Sequence, residues 1–265
     1  MYVTPDLGAA NAAWWAGLAR HLRAAGLDDV PERLTQPATP PELWRDPGLL
    51  FAQTCGYPFT HAFAGRLRLI ATPCYDAPGC TGPYYASAIV VRSDAPAARL
   101  PDLLGLCAAV NETNSQSGHH ALHQAMSPLS GGGAPFQAVI PTSSHAASLA
   151  AVQSGEADVC AIDAVAHALL VRHAPERLDG LRVLTFTDPT PGLPYVTAAA
   201  QSGGTVARLR EGLFRALNDP DLAQVRADLL IAGAEILDAG AYDVLRERAQ
   251  VAAAQCPPLL SASSS

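Results

Sequence analysis

The chain has 265 residues, 49% of them hydrophobic and 15% charged, with a formal net charge of −7 and a pI near 5.5. All 17 basic residues are arginine, so Schiff-base, Walker A and lysine-base chemistry are excluded, and any bound anion is held by arginine, backbone amides, hydroxyls or histidine. The acidic balance without a basic run argues against nucleic acid as a partner, and no stretch approaches the roughly 18 apolar residues of a membrane span.

A helix is predicted over Asn11–Ala25, where Trp14, Leu18, Leu22 and Ala25 recur at the helical period before Gly26. A passage containing Pro31, Pro37, Pro40, Pro41 and Pro47 follows, then short apolar runs at Leu49–Ala52 and Leu67–Ala71 and a β-rich segment at Tyr84–Arg92. From Leu106 the pattern alternates. Strands are expected at Leu106–Val110, Phe136–Ile140, Val159–Ile162 and Arg182–Thr187, and helices at His119–Leu129, His145–Ser154 and Ala164–His173. Short apolar strands alternating with helices of about ten residues are the mark of right-handed βαβ units on a parallel sheet. Tyr195–Ala200 reads as a returning strand. The last third reads as helices over Val206–Leu217, Leu222–Ile231 and Tyr242–Ala254, ahead of a frayed tail over Pro257–Ser265.

These elements predict an α/β protein of two lobes, each a mainly parallel sheet flanked by helices. Residues 1–92 and 194–265 form the first lobe, with both termini, and residues 93–193 the inserted second lobe. Segments 84–92 and 193–200 would cross between them as hinge strands. The six cysteines (Cys55, Cys74, Cys80, Cys107, Cys160 and Cys256) include no C-x-x-C pair, which leaves no zinc-site spacing. Cys74 and Cys80 flank a turn and are either a disulfide or two thiols.

In parallel α/β sheets ligands bind beyond the carboxyl ends of the strands. After Val110 comes Asn111-Glu112-Thr113-Asn114-Ser115-Gln116-Ser117-Gly118-His119, after Ile140 comes Pro141-Thr142-Ser143-Ser144-His145, and after Ile162 comes Asp163. Small hydroxyls, a glycine, a histidine and one carboxylate thus gather at one rim. Free amides and the dipole at the start of a helix opened by Ser115, Ser117 and Gly118 favour an anion; simple capping by Ser117 is the alternative reading of that loop.

The stretch Leu103–Asn111 continued by Ser115-Gln116-Ser117-Gly118 resembles the phosphonate-binding proteins of ABC importers. Ser144-His145 with Ser148–Val152, Gly155–Asp158 and Ala161-Ile162-Asp163 resembles them too, as do Leu193–Thr197 and the Tyr85-x-Ser87 strand. The resemblance covers roughly residues 50–250 and implies the type II periplasmic-binding fold, in which two α/β lobes close on a ligand. It implies that Ser115, Ser117 and Gly118 hold phosphonate oxygens, that His145 donates to the same oxyanion, and that Asp163 accepts from a protonated ligand oxygen or amino group. Tyr57 and Tyr85 would contribute from the other lobe and the crossing strand. The family commonly has threonine where this chain has Gln116, whose carboxamide changes the local donors.

A carboxylate at Asp163 would repel a fully ionised oxyanion, so the ligand is expected to share a proton, which favours phosphonate or phosphate over sulfate and sulfonates. His119, His120 and His123 form H-H-x-x-H without a further ligand type nearby; His123 reads as a solvated helix residue and no metal is expected. A hydrolytic Ser117, His145, Asp163 set lacks a G-x-S-x-G elbow. The expected function is therefore capture of a phosphonate, phosphate-like or related oxyanion for ABC-type import, with no cofactor and an ABC permease as protein partner. An enzyme on the same fold, such as a prephenate dehydratase or a thiamine-pyrimidine synthase, or a ligand sensor, is the alternative. The resemblance implies the periplasm, whereas no basic segment followed by an apolar one marks a signal peptide near Met1, which keeps the cytoplasm as the alternative.

Overall fold

A computed structural model describes residue 2, residues 5–35 and residues 40–260. Pro37, the tail from residue 261 onward and the opening Met1–Thr4 segment apart from Tyr2 lie outside the described residues. The chain forms two compact units. The first comprises the described residues up to Asp76, Thr81–Pro83 and Pro191–Ala241; the second comprises Ala77–Cys80, Tyr84–Thr190 and the described residues from Tyr242 onward.

In the first unit the helix Gly8–Ala24 packs on the helix Gly203–Leu217. Gly212 permits the approach, since a Cβ there would stand 2.9 Å from the Cα of Leu22. Trp14, Trp15, Leu18 and Leu22 are buried, as the period of the sequence requires. A four-stranded sheet lies in the order Ala52–Gln53, Tyr195–Ala198, Leu67–Tyr75, Ile231–Glu235. All of its pairings are antiparallel, where a mainly parallel sheet is predicted. Strand direction follows from which distant segment supplies each neighbour, and local periodicity carries no such information.

Ile231–Glu235 falls where a helix over Leu222–Ile231 is predicted. The helix is shorter, Ala223–Asp228, and ends as Leu230 enters the left-handed region at φ 58°. Its carbonyl accepts from Asp76 N at 2.9 Å, and the chain leaves to pair with Leu67–Tyr75. The sheet neighbour overrides the helical pattern of Leu222, Val225 and Leu229.

The second unit is built on a five-stranded sheet in the order Ala138–Pro141, Cys107–Val110, Val159–Asp163, Ser87–Arg92, Leu181–Phe186. Its first three strands are parallel, and Ser87–Arg92 runs antiparallel to both of its neighbours. Ser87–Arg92 is thus an interior strand of one sheet, next to its edge strand Leu181–Phe186, where a crossing strand over 84–92 is expected. Its neighbours hydrogen-bond it on both edges. Alternate residues feed two cores. Ile89, Val91, Ala108, Val110, Val159 and Ala161 pack with Leu122 and Met126 on one face, while Ala88, Val90, Ala109, Cys160 and Ile162 pack with Leu149 and Val152 on the other. Burial on both faces explains why these strands read as unbroken apolar runs.

The C-terminal segment belongs to this second unit, although the predicted boundary groups it with the first lobe. Leu259, 8% exposed, joins the core of Ile89, Leu122 and Phe136, and Ser127 Oγ donates to Gln255 Oε1 at 2.8 Å. Burying a leucine contributes about 1.5–3 kcal/mol toward docking the segment. Cys74 and Cys80 are free thiols, the second of the two readings left open for them. No described helix is long and apolar enough to cross a membrane.

Candidate functional site

Three adjacent parallel strands of the second unit end at one rim: Cys107–Val110, Ala138–Pro141 and Val159–Asp163. Beyond Val110 the chain turns into a π-helical segment, Gln116–His120, continued by the α-helix Ala121–Met126. The helix therefore opens before the predicted His119, and its π register is of the kind concentrated at functional sites. Ser115 is the cap, its Oγ accepting from Gly118 N at 3.0 Å, where the sequence suggests Ser117. Its carbonyl accepts from His119 N at 3.2 Å and His120 N at 3.1 Å. The first amides of such a segment have no partner within it, and the cap leaves the Ser117 hydroxyl for another neighbour.

That neighbour is His145. Ser144 caps the helix His145–Ser154, accepting from Ala147 N at 3.1 Å, and so places His145 in its first turn. His145 Nε2 lies 3.0 Å from Ser117 Oγ. Burial pushes its pKa down to about 4, because a charged imidazole is poorly solvated there, so the ring is neutral at pH 7. Nδ1 is buried without a hydrogen-bond partner among the described residues. On the same loop and helix, Thr142 Oγ1 and Ser148 Oγ are 2.6 Å apart, and Thr142 N donates to Val110 O at 2.8 Å.

Asp163 closes the third strand and is 2% exposed. Its Oδ1 accepts from Val165 N at 2.8 Å and Ala166 N at 3.2 Å, capping the helix Ala164–His173. Ser87 is its register partner on the neighbouring strand. The Cys80 thiol is pushed up to about 12, first by burial and then by the Asp163 charge. The strand ending in Asp163 packs against the π-helical turn. Tyr85, 3% exposed, stands two residues before Ser87.

The structure thus brings Ser115, Gln116, Ser117, Gly118, His145 and Asp163 to one rim of one unit. Tyr57 belongs to the first unit, on the helix Gly56–Thr60, where it stacks on His61 at 3.7 Å between centroids and burial raises its phenol pKa. Two neighbours of the site are assigned no site role by the sequence. Asn111 is the first residue after its strand, and its side chain occupies the space in front of Gly118. Cys80 comes near Asp163 only through tertiary packing. Position directly after a rim strand is a signal that could have singled out Asn111; nothing local marks Cys80.

His123 differs from its predicted solvation. His119, His120 and His123 are all buried. His119 Nδ1 pairs with Thr113 O at 2.9 Å, and His123 Nε2 lies 3.1 Å from Cys256 Sγ, so the docked C-terminal segment covers His123. Among the described residues no group of three or more His, Cys, Asp or Glu is placed to hold a metal ion. The Ser117–His145 pair also falls short of a hydrolytic triad. Nothing among the described residues orients Nδ1, a pKa near 4 makes a weak base, and Asp163 Oδ1 is engaged by helix amides.

Residues 49–242 match the profile of a family described as the periplasmic substrate-binding protein of the phosphonate ABC transporter. No curated protein sequence matches the chain. Among solved structures, a protein of Xanthomonas citri bound to ATP superposes with a TM-score of 0.71 at 17% identity, over 96% of each chain. A phosphonate-binding protein of Prochlorococcus marinus in complex with methylphosphonate gives a TM-score of 0.67 at 13% identity, over 92% of this chain and 90% of that one. The aliphatic sulphonate-binding protein of Escherichia coli gives 0.55 at 20% identity, over 91% and 83%. At these identities the structures establish a shared fold, that of type II periplasmic binding proteins.

Proposed function

This chain belongs to the family of periplasmic substrate-binding proteins of phosphonate ABC transporters, and from that premise we propose that it captures a phosphonate or closely related phosphorus oxyanion for import. The ligand would sit at the rim of the second unit. The amides and hydroxyls of the Ser115–Gly118 turn and His145 would hold its oxygens, and Asp163 would accept a ligand proton. Tyr85 completes the proposed set in this unit, and Tyr57, in the first unit, remains a candidate contact of its own. The protein would act in the periplasm, deliver its ligand to an ABC permease and carry out no chemical step.

The observation that supports this reading best is the Ser117–His145 hydrogen bond, 3.0 Å, at the ends of adjacent parallel strands. It joins two rim loops into one polar surface in which none of Ser115, Gln116, Ser117, Gly118, His145 and Asp163 carries a positive charge at neutral pH. Neutral donors beside a carboxylate suit a singly charged oxyanion that brings a proton.

Thermal-shift measurements against alkylphosphonates, phosphite, phosphate, alkylsulfonates and prephenate test the proposal. A ligand at one hundred times its Kd stabilises the folded state by about 2.7 kcal/mol. The expected outcome is a raised melting temperature with phosphonates and little change with sulfonates. A shift confined to prephenate would point to an enzyme instead, and no shift with any phosphorus oxyanion would overturn the proposal.

A further inference from the structure

Gln116 is the most deeply buried polar side chain of the rim, at 1% exposure. Both ends of its carboxamide, Oε1 and Nε2, are buried and lack a hydrogen-bond partner among the described residues. A carboxamide can accept at Oε1 and donate twice at Nε2, and burying it unpaired is unfavourable. Its surroundings are built to the same pattern. Asn111 Oδ1 and His145 Nδ1 are likewise buried without a partner. Asn111 abuts Gly118, two residues along the same turn, and His145 is bonded to Ser117, the next residue. Gln116 lies at the start of the π-helical turn that packs on the strand ending in Asp163.

Resting on the ligand class proposed above, we infer that Gln116 is a specificity-determining residue whose carboxamide reads a P–OH group beside a P–O⁻ oxygen of the ligand. Oε1 accepts from the protonated oxygen while Nε2 donates to its neighbour. A singly protonated phosphonate presents that donor and acceptor side by side and satisfies both ends at once. A sulfonate of the same shape has no proton to offer, so Oε1 would face a bare oxygen and the gain at Nε2 would be offset. Gln116 thereby separates two tetrahedral anions of equal size by their hydrogen-bonding pattern.

Gln116→Met, close in length and without polar atoms, tests this with methylphosphonate and methanesulfonate as probes at mildly acidic pH, where methylphosphonate holds one proton. Calorimetry is expected to show methylphosphonate binding about tenfold weaker or worse in the variant, with methanesulfonate affinity little changed. The unliganded variant should melt no lower than the parent, because an apolar side chain replaces an unpaired buried carboxamide. Equal loss of both probes, unchanged methylphosphonate affinity, or a lowered melting temperature without ligand would each overturn the role of Gln116. The last of these would show that the carboxamide has a structural partner. A parent protein that binds neither methylphosphonate nor any other phosphorus oxyanion overturns the ligand class itself, a result distinct from failure of the variant alone.

Discussion

The side chain of Asn111 stands where a Cβ on Gly118 would have to go. Such an atom would lie 2.7 Å from Asn111 Cγ and closer still to Oδ1. Strand end and turn therefore meet with backbone against side chain, and glycine is needed for close approach.

Gly118→Ala is accordingly expected to displace Asn111, lower the melting temperature and weaken binding of a phosphonate probe. Overpacking of this kind costs about 1–3 kcal/mol. Shortening the obstacle should reverse it, so Gly118→Ala combined with Asn111→Ala is expected to melt nearer the parent than Gly118→Ala alone. Thermal unfolding of these two variants and of Asn111→Ala alone measures the coupling; strictly additive losses would show that the two residues do not compete for space.

Asp163 serves the fold and the proposed ligand in separable ways. Its Oδ1 caps the helix Ala164–His173 through the amides of Val165 and Ala166, a task asparagine performs about as well as aspartate. Asp163→Asn should thus keep the melting temperature close to the parent while discrimination against alkylsulfonates relaxes. Competition between methylphosphonate and methanesulfonate reads the outcome. Unchanged selectivity would remove Asp163 from the ligand's surroundings.

The neutral state of His145 predicts a pH dependence of stability. Its folded pKa of about 4 lies below its ordinary value of 6.5, so between those values the unfolded chain binds the extra proton. Stability then rises with pH across that window and is lost as pH falls from about 6.5 toward 4. Burial lowers the pKa of His119, His123 and His167 as well, which adds to the loss in the same direction. Melting temperature measured across this range should fall on acidification, and His145→Gln should flatten the fall. A variant with the parent's full pH slope would assign the effect to the other histidines.

Much of this site was legible in the residues because its signals are local. Ser144 before His145 and Gly155, in the left-handed region at φ 80°, mark both ends of one helix. Asp163 marks the start of the next, and both helices, His145–Ser154 and Ala164–His173, run over the predicted residues. Capping needs only a side chain within two or three residues of the amides it serves, so it is written in short stretches of sequence. The alternation of these helices with apolar strands likewise placed Ser115–Gly118, His145 and Asp163 at one rim.

Relationships across long separations were decided by the tertiary structure alone. The direction of Ser87–Arg92 depends on pairing with Val159–Asp163 and Leu181–Phe186, about 70 and 90 residues away in the chain. Ile231–Glu235 is a strand because Leu67–Tyr75 offers it an open edge. His123 is buried because Cys256 arrives from the far end of the chain. Asn111 fills the space before Gly118 because the loop between them folds back. The absence of lysine excluded whole chemistries from composition alone and left arginine, backbone amides, hydroxyls and histidine as the means of holding an anion. Which donors are engaged and which stay unpaired, as at Gln116 and His145 Nδ1, is a property of packing. A hydrogen bond depends on distances of about 3 Å between atoms, and those arise only once the chain is folded.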